Sequence, residues 1–265
     1  LIVYRLGKEK FEKVPDQSDL AVIKKIEEKD RTGFFPTDRM MHAPDDVDAW
    51  GDKWRAGTAS FSHVNHLFIQ RAELALATIW SKIDSVADRQ ARAFVKFCFE
   101  QAVMGLSLLN RYGPAHFSQV NRQMTGVYYI ASQHSECSPW YNLNGKIKRL
   151  AKAFANKRSA TRCAIATGDS SNLKLKSNSL DYIFVDPPFG DNLAYGELNF
   201  VLEAFHQVFT NMAAEAIVSK HQKKEFRIYQ ELMRACFSEF HRILKPGRWM
   251  TIEFSNTKAS IWNSI

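Results

Sequence analysis

The residues best suited to chemistry lie between Asp186 and Gly190, where the chain reads Asp-Pro-Pro-Phe-Gly. The preceding run, Leu180–Val185, is mostly apolar and rich in β-branched and aromatic residues, which is typical of a buried strand in a parallel sheet. Pro187 and Pro188 fix φ and remove two backbone donors, so strand pairing must stop there. Ligands of open α/β sheets bind outside the carboxyl ends of the strands. The pattern therefore places a carboxylate, a rigid turn and an aromatic ring at a predicted ligand site.

These side chains suit the activation of an exocyclic amino group on a nucleic-acid base. Such a nitrogen is a poor nucleophile because its lone pair is delocalised into the ring. The Asp186 carboxylate and a carbonyl of the Pro187–Pro188 turn offer acceptors for its two N–H bonds, which would direct the lone pair toward an electrophilic methyl group. Phe189 offers a ring on which a base swung out of its duplex can stack. An ordinary exit from a strand into a loop, where Asp and Pro are common, is the alternative interpretation.

The Asp186–Phe189 motif resembles the catalytic motif of S-adenosylmethionine-dependent amino-methyltransferases, chiefly the N6-adenine and N4-cytosine DNA methylases. The resemblance continues through Gly190–Asn199 and returns at Ile243–Thr257, which is similar to the segment around the fifth strand of such enzymes. It is specific from about Thr167 onward. It implies an α/β fold, with part of a Rossmann-like methyltransferase sheet. The residues that it marks as catalytic are Asp186, Pro187, Pro188 and Phe189.

The same resemblance implies S-adenosylmethionine as the cofactor. Asp169 follows a predicted strand at Ala164–Thr167, and methyltransferases that look like this use an acidic residue there to accept a hydrogen bond from the cofactor adenine. A helix N-cap is the alternative role for Asp169. Asp186 is the second predicted cofactor contact, near the arriving methyl group. The predicted substrate contacts are Phe189, Asn192 and Tyr195.

Two elements of such enzymes are not evident in the sequence. One is the Gly-containing loop that holds the methionine part of the cofactor, and the other is an acidic residue for the ribose hydroxyls. We expect both to precede Leu1, because the sequence starts without Met and Trp262–Ile265 resembles the start of a helix. A chain without these elements should bind S-adenosylmethionine weakly or not at all.

Hydrophobic periodicity divides the sequence into three predicted parts. Residues 1–61 form an N-terminal segment with a long loop at Thr32–Thr58. Residues 62–160 form a helical and basic insertion, a possible DNA-recognition region. Residues 161–265 form the partial methyltransferase core, in which strands alternate with helices as in a parallel, doubly wound sheet.

The individual elements follow from the same patterns. The predicted strands are Leu1–Leu6, Gly126–Ala131, Ala164–Thr167, Leu180–Val185 and Trp249–Phe254. The predicted helices are Asp16–Lys29, Ser62–Ile83, Ala87–Asn110, Trp140–Asn156, Glu197–Thr210 and Glu225–Leu244.

Charge narrows the class of partner. The 265 residues include 36 basic and 28 acidic ones, a formal net charge of +8, which favours a polyanion. A solvated helix face is the alternative interpretation of each basic cluster. The first cluster comprises Lys146, Lys148, Arg149, Lys152, Lys157, Arg158 and Arg162. The second, weaker cluster comprises Lys220, Lys223, Lys224 and Arg227.

We expect a cytoplasmic protein with no membrane partner and no metal site. No apolar run reaches the ~20 residues of a membrane span. The 4 cysteines lie far apart without a Cys-x-x-Cys pair, as in proteins with reduced thiols. His63 and His66 are better explained as a pair at a helix start than as metal ligands, because no ligand of matching spacing follows closely.

The resemblance thus implies a DNA methyltransferase of restriction–modification type that acts on double-stranded DNA with a flipped target base. Adenine N6 is the favoured target, since cytosine N4 enzymes more often begin the motif with Ser. An RNA methyltransferase acting on guanine N2 is the alternative, because Asp-Pro-Pro-Phe also occurs in that class. A non-catalytic nucleic-acid-binding module is a third interpretation, since the Gly-containing loop is not evident.

Overall fold

The computed structural model describes residues 2–41, 61–113, 128–130, 132–155, 162–191 and 193–263. The chain is a mixed α/β protein that forms two compact units. The first unit contains most residues up to Arg158 together with Val201–Gln207, and the second contains Ser159–Phe200 and Val208–Ile265.

The first unit begins with an antiparallel hairpin of β1 (Ile2–Leu6) and β2 (Glu9–Lys13). The predicted first strand is therefore confirmed. The helix α1 (Gln17–Glu27) follows, and Asp16 caps it: the Asp16 carboxylate accepts a hydrogen bond from the Asp19 backbone N–H, and the Asp19 carboxylate accepts one from the Asp16 backbone. This reciprocal cap satisfies two donors that a helix start leaves unpaired.

Three longer helices complete the first unit. They are α2 (Gln70–Asp84), α3 (Arg89–Val103) and α4 (Pro139–Ala155). The helices α2 and α3 are adjacent in sequence and pack together, and α4 packs on α3. The helices predicted at Ser62–Ile83, Ala87–Asn110 and Trp140–Asn156 are therefore confirmed, with shorter bounds.

Aromatic rings form the core of this unit. Phe205 is 2% exposed, and its ring centroid lies 5.2 Å from those of Phe35 and Phe99. Trp80 packs on the same group, with its centroid 5.2 Å from that of Phe99. Tilted and edge-on pairs of this kind add to the free energy of burial.

The second unit is built on a pair of parallel strands. They are β3 (Leu180–Val185) and β4 (Leu244–Ile252), with Tyr182 opposite Trp249 and Val185 opposite Ile252. The connection between them contains α5 (Tyr195–His206) and α6 (Phe226–Ile243), and a short helix, α7 (Ala259–Trp262), follows β4. The predicted parallel pairing of these two strands is confirmed.

The predicted strand at Ala164–Thr167 is wrong. These residues lie in no strand, and Ile165 is 95% exposed. Four residues pair as a strand only when a neighbouring edge offers a row of donors and acceptors. Among the described residues, β3 pairs with β4 alone, so the part of the sheet seen here is a single parallel pair.

The burial predicted for β3 is also wrong in part. Ile183 is buried, but Tyr182 is 54% and Phe184 57% exposed, and Trp249 on β4 is 80% exposed. Successive strand residues point to opposite faces, so only the face that contains Ile183 is covered.

Two other sequence predictions fall largely outside the described residues. Of the predicted strand Gly126–Ala131, the structure describes Tyr128–Ile130, which lie in no strand. Most of the loop Thr32–Thr58 is likewise outside the described ranges. Its described start includes the buried Phe35, which belongs to the aromatic core.

Among the described helices, none combines the length and the apolar character that crossing a membrane requires.

Candidate active site

Asp186 lies where the sequence predicts, immediately after β3. The Val185 carbonyl still accepts a hydrogen bond of 2.9 Å from the Glu253 backbone N–H, so sheet pairing continues to the last residue of β3. The next residue that could extend the ladder is Pro187, which has no N–H to give. The exposed Asp186 carboxylate therefore stands at the carboxyl end of a parallel strand.

Three successive carbonyls after Pro187 accept hydrogen bonds from three other segments of the second unit. The Tyr229 hydroxyl donates to the Pro188 carbonyl at 3.0 Å. The Asn256 side-chain amide donates to the Phe189 carbonyl at 2.6 Å. The Val218 backbone N–H donates to the Gly190 carbonyl at 3.0 Å. The turn is thus held by α6, by the segment after β4 and by the segment before α6.

Two acceptors at the start of the turn remain open. Among the described residues, none donates a hydrogen bond to the Pro187 carbonyl or to the Asp186 carboxylate. The two groups belong to neighbouring residues at the end of the strand. They are acceptors only, so the site suits a ligand that brings N–H or O–H donors.

Tyr229 is fixed by burial. It is 0% exposed and packs with Met233 on its own helix and with Ile261 on α7. Burial raises the pKa of the Tyr229 hydroxyl above its usual value, although a hydrogen bond from the Gly190 backbone acts in the opposite direction. The hydroxyl therefore stays protonated at neutral pH and can donate to the Pro188 carbonyl.

Gly190 permits the sharp end of the turn. Its φ is +78°, a region that residues with a side chain rarely adopt. A Cβ at this position would lie 3.0 Å from Ile261 Cδ1 and 3.4 Å from Asn256 Nδ2. Both the backbone angle and the close packing of α7 thus require glycine.

Phe189 is half-buried and packs edge-on against Phe254, with ring centroids 5.2 Å apart. Phe254 makes a similar contact with Trp262, also at 5.2 Å. The Trp262 indole N–H donates to the Asn256 carbonyl at 2.6 Å. The Phe189 ring is therefore supported on one side and partly open to solvent, which suits both packing and contact with a ligand.

Tyr195 is the first residue of α5 and is 44% exposed. The next residue, Gly196, donates its backbone N–H to Glu215 at 3.1 Å, so a carboxylate from outside the helix satisfies one of its first donors. Glu197 is fully buried, and its carboxylate accepts from the Gln222 amide at 3.4 Å. Asn192, the other predicted wall residue, lies outside the described residues.

Asp169 lies in a turn rather than at a helix start. Its Oδ1 accepts hydrogen bonds from the Ser171 backbone N–H at 2.8 Å and from the Ser171 hydroxyl at 2.7 Å. These two bonds lower the pKa of the Asp169 carboxyl. No helix follows directly, so the N-cap alternative does not apply. Both bonds end on Oδ1, and Oδ2 accepts no hydrogen bond from a described residue.

Sequence reasoning missed the residues that hold the turn. The pattern of an amphipathic helix indicates that Tyr229 faces the core. It does not indicate that the Tyr229 hydroxyl donates a hydrogen bond to the Pro188 carbonyl. Asn256 lies within the segment that resembles methyltransferases, yet its bond to Phe189 spans 67 positions of sequence. Contacts of this range are not encoded in local periodicity.

His63 and His66 lie side by side at the start of a short helical turn, with ring centroids 5.4 Å apart. The Ser62 hydroxyl is 2.8 Å from His63 Nδ1. Within the described ranges, no group of three or more His, Cys, Asp or Glu side chains could hold a metal ion.

Comparisons with protein families, with curated proteins and with solved structures find no match for the chain. Arguments about its function therefore start from the site itself.

Replacing Tyr229 with Phe removes the hydroxyl and keeps the ring. The Pro188 carbonyl then loses its donor in a partly buried place, so we expect the free energy of unfolding to fall by about 1–3 kcal/mol. Denaturant unfolding measures this difference. Tyr141→Phe, which removes a hydroxyl from an exposed side chain on α4, is the matched control and should change stability by less than about 0.5 kcal/mol. Equal stability of Tyr229→Phe and wild type would contradict the role of this hydrogen bond.

Proposed function

We propose that the chain is part of an S-adenosylmethionine-dependent DNA methyltransferase that acts on an exocyclic base amino group, with adenine N6 as the favoured target. The observation that carries the proposal is the pair of open acceptors, the Asp186 carboxylate and the Pro187 carbonyl, at the carboxyl end of β3. In this proposal β3 and β4 are neighbouring strands of a Rossmann-like sheet.

The two acceptors match the two N–H bonds of an amino group. Asp186 accepts one N–H and the Pro187 carbonyl accepts the other, so the nitrogen lone pair turns out of the plane of the base. Transfer of a methyl group leaves the nitrogen with one proton in excess. Asp186 is the carboxylate placed to receive that proton or to pass it to water.

The rigidity of the turn supports this role. Electrostatic groups accelerate a reaction most when they are already oriented and need no reorganisation. The Pro187 carbonyl is followed by a proline ring and by three anchored carbonyls, so its direction is set before a ligand arrives. A turn that had to be ordered on binding would lose part of this advantage.

The cofactor fits the described residues in part. S-adenosylmethionine, when bound, supplies the electrophilic methyl group. Asp169 Oδ2, which accepts no hydrogen bond from a described residue, would accept one from the adenine amino group of the cofactor, and Asp186 would face its methyl group. The described residues supply no group that we can assign to the methionine part or to the ribose.

Duplex DNA is the favoured substrate because the charge of the chain is +8 and Phe189 presents a partly open ring for a flipped base. A structured RNA carries the same phosphates and the same type of amino group. Methyl transfer to each must therefore be compared directly.

Replacing Asp186 with Ala should abolish methyl transfer and leave the fold intact. Loss of one preorganised group costs about 3 kcal/mol or more at the transition state, a decrease in rate of at least about 100-fold. The measurement is incorporation of tritiated methyl groups into unmodified duplex DNA and into structured RNA by the complete gene product, normalised to folded protein.

Asp181→Ala is the matched control for this experiment. It removes a carboxylate from the same strand, but that carboxylate is exposed and pairs with Lys245 at 3.0 Å. Activity of Asp181→Ala should stay within a few-fold of wild type. Comparable activity of Asp186→Ala and Asp181→Ala would refute the role of Asp186, and methylation of RNA alone would replace DNA as the substrate.

Substitutions of Phe189 separate base stacking from packing. If the ring stacks on a flipped base, Phe189→Ala should weaken productive DNA binding by about 1–3 kcal/mol. Phe189→Trp should be milder, because it keeps an aromatic face. DNA binding and melting temperature are measured on the same variants. Full activity of Phe189→Leu together with a lower melting temperature of Phe189→Ala would show that the ring only packs on Phe254.

The 265-residue chain alone should bind S-adenosylmethionine more weakly than micromolar. Only Asp169 and Asp186 are assigned to the cofactor, and a ligand held at one end lacks most of the contacts that offset its lost freedom. Calorimetric titration measures the affinity, and S-adenosylhomocysteine serves as a second ligand. Micromolar binding would contradict this assignment.

A further inference from the structure

The helix α4 carries an unusual distribution of charge. Its 17 residues include the basic residues Lys146, Lys148, Arg149 and Lys152 and no acidic residue. By contrast, α1 contains residues of both charges, and its Asp19 and Lys24 form ion pairs with Lys13 and Glu28. The charge of α4 is therefore uncompensated within the helix itself.

The basic side chains of α4 form no ion pair with any other described residue. Lys148, Arg149 and Lys152 are exposed, and no carboxylate in the described part of the chain lies within ion-pair distance of them. Arg149 donates a hydrogen bond to the Gly145 carbonyl at 3.2 Å. Burial lowers the pKa of Lys146, and the charge of Arg149 lowers it further. The cluster therefore holds positive charges close together, and no described carboxylate neutralises them.

The opposite side of α4 is already occupied. Asn142 is buried, and its side-chain amide donates to the Ala102 carbonyl of α3 at 3.1 Å. Phe154 meets Phe94 of α3 edge-on, with ring centroids 5.3 Å apart. A helix that lies in a membrane interface needs its apolar face for the lipid. Part of the apolar side of α4 packs on α3 instead, while Trp140 stays 77% and Phe154 48% exposed. Every charged side chain of the helix is basic.

The exposed face of α4 has the dimensions of a short stretch of nucleic-acid backbone. Lys148 and Lys152 follow Tyr141 by 7 and 11 positions. At 3.6 residues per turn, the three side chains lie within a stripe about 40° wide along the helix. The stripe is about 16 Å long at 1.5 Å per residue. One strand of B-DNA places about five phosphates along that length. Arg, Lys and Tyr side chains are regular donors to phosphate oxygens.

We propose that the exposed face of α4, formed by Tyr141, Lys148, Arg149 and Lys152, binds the phosphodiester backbone of duplex DNA. The contact is electrostatic and independent of base sequence. It extends the proposed function by assigning a surface that holds the substrate, and it rests on that function only for the choice of duplex DNA as the partner.

The test is fluorescence anisotropy of a labelled duplex titrated with the chain at several salt concentrations, without cofactor. Lys148→Gln, Arg149→Gln and Lys152→Gln are combined in one variant. We expect its affinity to fall about tenfold or more near 0.1 M salt, and the slope of log K against log salt to decrease by about two to three. The single variant Lys152→Gln should lower the slope by about one, which tests the same contact with a smaller perturbation.

A matched control removes three charges elsewhere. Lys8→Gln, Lys25→Gln and Lys29→Gln combine exposed lysines that form no ion pair with a described residue. This variant should bind DNA within about twofold of wild type, because it leaves the local contacts with phosphates intact. Circular dichroism and melting temperature confirm that both triple variants are folded.

Three outcomes would overturn the inference. The first is an equal loss in both triple variants, which would mean that only net charge matters. The second is no measurable DNA binding by the wild-type chain. The third is loss of binding to phosphatidylserine vesicles in the α4 variant while DNA binding persists, which would assign the face to a membrane.

Anisotropy of the α4 variants reports on DNA binding alone, whereas methyl transfer by the Asp186→Ala variant of the complete gene product reports on the chemistry. The two measurements separate this inference from the proposed function. Absence of methyl transfer in every variant would refute the proposed function but not the contact between α4 and DNA. Normal DNA binding by the α4 variants would refute that contact but not the role of Asp186.

Discussion

The hydrogen bond from the Tyr229 hydroxyl to the Pro188 carbonyl is the constraint on which the candidate site depends. A turn that contains two successive prolines has no backbone donors at those positions, so it cannot hold itself by its own N–H groups. Only the carbonyl groups of the turn can form backbone hydrogen bonds, as acceptors. Tyr229, Asn256 and Val218 use three of them in succession. Since Tyr229 is fully buried between α6 and α7, the turn takes its position from the core of the second unit.

The same arrangement explains why two acceptors can stay open at little cost in stability. An unpaired acceptor is expensive when it is buried, because it has lost water without gaining a partner. Asp186 is exposed, so water satisfies its carboxylate until a ligand arrives. A ligand with two N–H donors then replaces water with oriented contacts. The rigidity comes from residues beyond Pro187, and the two open acceptors stay accessible.

The sequence predicted the elements whose signals are local. The strand β3, its end at Asp186 and the helices α2, α3, α4 and α6 follow from hydrophobic periodicity and from proline chemistry. The run Ala164–Thr167 has a similar composition, but strand formation depends on a partner edge, which a single sequence does not reveal. The exposure of Tyr182 and Phe184 was missed for the same reason, since an apolar run does not show whether one face or both faces are covered.

The site residues divide in the same way. Asp186, Pro187, Pro188 and Phe189 form a contiguous motif that chemistry alone can single out. Tyr229 and Asn256 donate hydrogen bonds to carbonyls about 40 and 67 positions away in the sequence. A tyrosine in a helix is as often a ring in the core, and an asparagine in a loop is as often a solvated polar residue. The residue type alone therefore does not indicate that either side chain donates a hydrogen bond to a distant carbonyl. A sequence can therefore reveal the groups proposed to react before it reveals the groups that hold them in place.

Two carboxylates, Asp181 in β3 and Asp186 directly after it, differ in their partners. Asp181 pairs with Lys245 at 3.0 Å and with Arg248 at 3.3 Å, and the hydrogen bond from Lys245 is the main cause that lowers the pKa of its carboxyl. Asp186, five positions later, has no such cation among the described residues. Lys258, the nearest lysine along the segment after β4, pairs with Asp191 at 2.6 Å instead. A cation beside Asp186 would compete with an incoming N–H donor for the same oxygens. Lys245, Arg248 and Lys258 are thus engaged by other carboxylates, and the carboxylate at the strand end stays available to a neutral donor.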